Sequence, residues 1–220
     1  TSFRMPSNLQ YIAPETFRNC EQLKTFYIGK AFRGKINYGE EGDPDTLFLY
    51  YAPIRLIQID KENTSYQLQN EILYTRDGHI LCQALKNDNA DSQLTIPSCV
   101  TEIADGAFYR NSEFGAIEVK GSLERIGISA FACADVGSFY VKGGVNYLDR
   151  GSFYQSAISE WRCHGGVKKY EKSAFQDVDA TNGYAIDMNA ITKLYQELLY
   201  VNATTDLSYW VKTIWNWITM

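Results

Sequence analysis

Most features that would announce a chemistry are missing from this sequence. Its 220 residues include only two histidines, His79 and His164. No G-x-S-x-G, G-x-x-x-x-G-K-[ST] or H-E-x-x-H motif occurs, so the common nucleophile elbow, phosphate loop and zinc-protease signatures are all excluded. Five cysteines are present (Cys20, Cys82, Cys99, Cys133 and Cys163), and the nearest two, Cys82 and Cys99, lie 17 positions apart. Without a C-x-x-C or clustered histidines, no zinc site or other metal site is expected, and the thiols read as free. No apolar run approaches the roughly 18 residues that suggest a membrane span. Basic residues are in deficit, with a net charge of −5, so the basic stripe of a nucleic-acid binder is lacking.

Two absences sit at particular places. The opening TSFRMPSNLQ has neither an initial Met, nor a basic segment, nor an apolar one. It resembles the middle of a repeat and points to a fragment of a longer protein. The acidic stretch GEEGDPD (39–45) has four acids but lacks the alternating ligands and terminal Glu of a calcium loop. It is expected to be a solvated loop.

What is present in quantity is apolar and aromatic surface, at 45% and 14% of the chain, enough for a large core. That surface recurs at a fixed interval. Phe108, Phe131, Phe153 and Phe175 follow one another at steps of 23, 22 and 22 residues, and Phe17 precedes them by 91, close to four periods. A small residue stands before four of these rings (Ala107, Ala130, Ser152, Ala174), with Thr16 before the fifth. Five residues before each ring is an apolar anchor: Ile12, Ile103, Ile126, Leu148 or Tyr170.

Seven or eight residues after each ring an alternating segment begins: TFYIG, AIEVK, SFYVK, EWRCH and GYAID. Period-two alternation predicts half-buried strands, with Phe26/Ile28, Ile117/Val119, Phe139/Val141, Trp161/Cys163 and Tyr184/Ile186 pointing inward. SFRMP (2–6) and QLTIP (93–97) fill the same slot. One such unit cannot bury its own apolar face, whereas stacked units can. The pattern therefore predicts a solenoid with parallel strands on one face and a ladder of Phe rings inside the opposite wall.

Residues 94–111, LTIPSCVTEIADGAFYRN, resemble the repeat of BspA-like leucine-rich repeat proteins, as does SFRMPSNLQYIAPETFRNCEQL (2–23), down to Cys20 and Leu23. Cys133 keeps the same cysteine shifted by one. The resemblance implies a right-handed β/α superhelix across residues 1–187. It also implies a hairpin insertion within about 30–93. There Asn63, Tyr66, Leu73 and Tyr74 fit the family's hairpin pattern and Asp77-Gly78 supplies a turn, while Gln69–Glu71 replace another Asp-Gly. Residues 30–46 are expected to form a loop between coils. Residues 188–220 break the phase and are expected to cap the solenoid, with Ile191, Leu194, Tyr195, Leu198 and Leu199 at helical spacing. A membrane-surface role for the segment TDLSYWVKTIWNW is disfavoured because Lys212 is its only cation.

Cys163 and His164 could suggest a nucleophile pair, but neighbours on a strand diverge to opposite faces. No catalytic residue and no cofactor is expected. The candidate surface is the outward side of the strands, chiefly Tyr27, Glu118, Lys120, Tyr140, Lys142, Glu160, Arg162 and His164, a composition suited to protein recognition. The resemblance implies a secreted or cell-surface bacterial protein that binds a host extracellular protein, as in adhesion. The alternative is a spacer presenting another domain.

Overall fold

The computed structural model describes residues 1–39, 46–50, 52–85, 92–111 and 114–176. The expected strand at 183–187, the acidic stretch 40–45 and the C-terminal cap lie outside the described residues. Within them the chain winds as a β-solenoid of about seven turns.

The first face has two parallel sheets. One joins β1 (Ser2–Arg4), β2 (Thr25–Ile28) and β5 (Leu56–Ile59) in that order. The other joins β9 (Ser92–Ile96), β11 (Phe114–Val119), β13 (Asp135–Val141) and β15 (Ala157–Cys163). In these strands Phe26, Ile28, Ile117, Val119, Phe139, Val141, Trp161 and Cys163 are no more than 4% exposed. They are the inward positions the alternation predicts.

A β/α superhelix does not form, because no described residue is helical. The second face is itself a sheet. β8 (Ile80–Ala84), β10 (Glu102–Ile103), β12 (Leu123–Ile126), β14 (Val145–Leu148) and β16 (Val167–Tyr170) run parallel. The anchors Ile103, Ile126, Leu148 and Tyr170 are thus strand residues in register. The Phe wall cannot become helical either. Left-handed backbone stands two residues before the ring at Gly106, Ser129 and Gly151, and two residues after it at Asn19, Arg110, Cys133 and Gln155. Such residues break a helix at every turn. The wall is tied between coils instead: the Phe108, Phe131 and Phe153 amides donate to Ala130, Ser152 and Ala174 carbonyls at 2.7–2.8 Å.

Inside that wall the ladder is present. Phe108, Phe131, Phe153 and Phe175 stack at centroid distances of 4.6, 4.9 and 5.2 Å with interplanar angles below 10°. Ala107, Ala130, Ser152 and Ala174 are fully buried beside them, where a larger residue would displace the neighbouring ring.

The insertion does more than extend a coil. β6 (Tyr66–Gln69) and β7 (Ile72–Thr75) continue the second sheet beyond β8 as antiparallel strands. Asn70 and Glu71 join them with positive φ at both positions, 49° and 62°. A type I′ hairpin turn requires that geometry, so Asn-Glu occupies the place of the missing Asp-Gly. β7 is buried throughout. Ile72, Tyr74 and Leu81 face the core of the later coils, and Leu73, Cys82 and Leu85 face the core of the earlier ones. The hairpin is therefore the joint between two hydrophobic cores.

The expected loop at 30–46 carries β3 (Lys35–Ile36), which pairs with β4 (Thr46–Leu47). The fully buried Asn37 ties this segment to the hairpin. Its Nδ2 donates to the Cys82 carbonyl and to Gln83 Oε1 at 2.9 and 2.7 Å, and its Oδ1 accepts the Leu49 amide at 2.7 Å.

Candidate functional site: the outward strand face

Parallel register sets the later coils in rows. Glu118, Tyr140 and Arg162 align across β11, β13 and β15, as do Ala116, Ser138 and Glu160. Lys120, Lys142 and His164 each follow directly on the last residue of these strands. Seven of the eight candidate residues thus fall on one face, where successive strands lie about 4.8 Å apart. The eighth, Tyr27, belongs to the separate β1–β2–β5 sheet. There its hydroxyl donates to Asp60 at 2.8 Å, and the Arg4 guanidinium lies 3.9 Å from its ring centre. Sequence spacing alone could not show that β5 and β9 belong to different sheets.

The charges on the face answer one another. Glu118 accepts Lys120 at 2.5 Å and lies 3.6 Å from Lys142. The hydrogen bond from Lys120 holds the Glu118 carboxyl below the usual carboxylate range. Glu160 pairs with Arg162. Tyr140 and His164 meet edge to face at 5.2 Å, with the hydroxyl 3.2 Å from Nε2. Lys120, Lys142, Arg162 and His164 are exposed, while Glu118, Tyr140 and Glu160 are half-buried. Cys163 and His164 diverge: the thiol is 2% exposed and lies 3.2 Å from the Gly166 carbonyl. Among the described residues no group of three or more His, Cys, Asp and Glu side chains is arranged to hold a metal ion.

A second charged cluster lies on the outer side of the second sheet, and spacing arguments missed it. Arg125 reaches Glu102 at 2.9 Å, Asp105 at 2.5 Å and Asp149 at 3.0 Å. Asp105 also accepts the Ile128 amide at 2.8 Å. The side chains are 10–24% exposed, so the cluster ties three successive coils in partial shelter from water. Burial raises the Glu102 and Asp105 carboxyls above their ordinary values despite the nearby guanidinium. The available sequence signal was Asp149, an acid where the repeat otherwise has a small residue after the anchor.

These features define a solenoid of stacked repeats whose variable residues are displayed on rigid strands. The chain belongs to the BspA-type leucine-rich repeat family, with six copies of the repeat matched over residues 1–38 and 78–182. Leucine-rich repeats generally mediate protein–protein interaction. The crystal structure of the pneumococcal vaccine antigen PcpA is similar in fold, with a TM-score of 0.53 and 16% identity over 78% of this chain and 57% of that one. A leucine-rich repeat protein from Eubacterium ventriosum is matched with a TM-score of 0.39 and 14% identity, over 80% of this chain and 64% of that one. The chain therefore spans less than two thirds of either matched chain. No curated protein sequence matches it.

Proposed function

We propose that this chain is a non-enzymatic protein-binding module of a secreted or cell-surface bacterial protein, and that it contacts a host extracellular protein through the outward face of β11, β13 and β15. The observation that carries the reading is the row of Glu118, Tyr140 and Arg162, flanked by Lys120, Lys142 and His164, on strands fixed in register. Such a surface holds its contact groups in place, so little side-chain and loop ordering is needed on binding. Likeness in fold to a protein described as a vaccine antigen fits surface exposure.

The test is capture from serum or extracellular matrix by the immobilised chain. Lys120→Glu, Lys142→Glu and Arg162→Glu combined should lower capture at least tenfold and leave the melting temperature within a few degrees, since exposed ion pairs contribute about 0–1 kcal/mol each. Equal capture by the triple variant would remove this face from consideration. A spacer role is favoured by the mutual pairing of the charges, Glu118 with two lysines and Glu160 with Arg162. A spacer would tolerate excision of one full period, residues 131–152, and would show no saturable partner.

A further inference from the structure

A groove of about 600 Å³ lies at a different place, where the edges of two sheets meet. Tyr27, Ile57, Gln58, Ile59, Asp60 and Lys61 line one side, and Tyr66, Gln67, Leu68 and Arg76 the other. β5 is the last strand of its sheet and β6 the last of the other, so among the described residues neither has a strand on its second edge.

The ladders show which backbone groups face that way. The Leu56 and Asp60 amides donate to Lys24 and Ile28 carbonyls, which turns the backbone of Ile57 and Ile59 away from β2. The Arg76 amide donates to the Ser65 carbonyl, so Ser65, Gln67 and Gln69 face β7 while the backbone of Leu68 faces outward.

These two edges carry none of the devices that usually block edge pairing. β5 reads LIQI and β6 reads YQLQ, without a charge or a proline. Three other terminal strands do carry charge, Arg4 in β1, Glu160 and Arg162 in β15, Lys168 and Lys169 in β16, whereas β9, SQLTI, does not. Leu56 and Leu68 are also 45% and 39% exposed, two of three large apolar side chains so exposed among the described residues. Polar groups in the groove are unevenly satisfied. Asp60 accepts the Tyr27 hydroxyl and the Glu62 amide, whereas Lys61 and Arg76 make no ion pair among the described residues.

We infer that this groove takes an extended peptide segment of a partner, added as a strand at the β5/β6 edges, with apolar side chains against Leu68 and acidic ones toward Lys61 and Arg76. Unpaired amides and carbonyls select an extended backbone, and the two cations select acidic side chains. A second copy of this chain fits less well, because the open edges it would offer, LIQI and YQLQ, bring no acidic side chain to Lys61 and Arg76. The site is on other sheets than the β11–β13–β15 face, so it stands or falls separately.

The probe is a fluorescein-labelled Glu-Val-Glu-Val-Glu-Val peptide, capped as the amide and titrated into the whole chain by fluorescence anisotropy. Saturable binding is expected. Leu68→Lys and Arg76→Glu, both at exposed positions, should each weaken it at least fivefold with unchanged melting temperature. Gln67→Lys serves as the second edge variant should Leu68→Lys fail to fold. Methylating alternate amides of the peptide should abolish binding, because a strand pairs through its N–H groups. Hydrogen exchange should slow at Ile59 and Leu68 in the complex. Absence of binding at millimolar peptide, indifference to N-methylation, or equal affinity in the Leu68 and Arg76 variants would each overturn the proposal. So would concentration-dependent dimerisation that Leu68→Lys abolishes, since the edge would then belong to a second copy.

Discussion

Phe131→Ala tests whether the ladder holds the coils together. The ring is fully buried. It stacks on Phe108 at 4.6 Å and on Phe153 at 4.9 Å, and meets Phe139 edge-on at 5.0 Å. Truncating a buried Phe to Ala costs roughly 3–5 kcal/mol. Here the two stacked partners hold their own backbone hydrogen bonds to the same wall and have little freedom to close the gap, which puts the cost at the upper end, about 5 kcal/mol. For a chain of this size each kcal/mol moves the melting temperature by about 2–4 °C, so a drop on the order of 10–20 °C is expected. Phe175 is half-buried and has one stacked partner among the described residues, Phe153 at 5.2 Å, so Phe175→Ala should cost less than half as much. Phe131→Leu keeps much of the volume and should fall between the two. Thermal unfolding by circular dichroism measures the order. Hydrogen exchange should locate the first loss of protection in the coils on either side of residue 131, because repeat arrays fail at their weakened interfaces. Equal losses from Phe131→Ala and Phe175→Ala would refute the ladder as the source of cohesion.

Two further outcomes follow from the same structure. Glu102 and Asp105 have folded-state values raised by burial. Their favourable contribution is therefore present below the unfolded value of about 4 and is lost as pH rises through the folded values. Arg125→Met leaves three carboxylates facing one another and should cost about 3 kcal/mol near neutrality, with a deficit that shrinks toward pH 4; a deficit constant between pH 4 and 7 in melting experiments would count against the cluster. Gly106→Ala should lower stability by at least 1–2 kcal/mol, the approximate penalty for left-handed backbone, because its φ is +59° and the added Cβ would fall 2.2 Å from Tyr50 Cγ. Urea unfolding measures this, and a neutral result would mean that Tyr50 moves aside freely.

The residues differ in how much they say on their own. Phe108, Phe131 and Phe153 announce the coil interval because identical rings at one spacing satisfy a single packing rule, and that rule acts between adjacent repeats. The alternation around Ile117, Phe139 and Trp161 likewise fixes which side of each strand is buried, since a strand has only two sides. With strand and interval known, the alignment of Glu118, Tyr140 and Arg162 follows.

Features resting on contacts between unlike segments were not legible. Leu123–Ile126 and Val145–Leu148 form a second sheet because neighbouring coils offer them partners at matching heights, and a tetrapeptide such as LERI does not announce this alone. Arg125 finds Glu102, Asp105 and Asp149 through the stacking of three coils. Asn37 and the β6–β7–β8 hairpin meet across 45 residues, and that meeting separates the two cores, sends Tyr27 to another sheet than Tyr140, and leaves the edges of β5 and β6 facing one groove. The sequence by itself determined the repeat, its period and its buried side, because these depend on local patterning. Only the tertiary structure decided where the stack is jointed and which edges remain open, because those depend on how a non-repeating insertion packs against both neighbours at once.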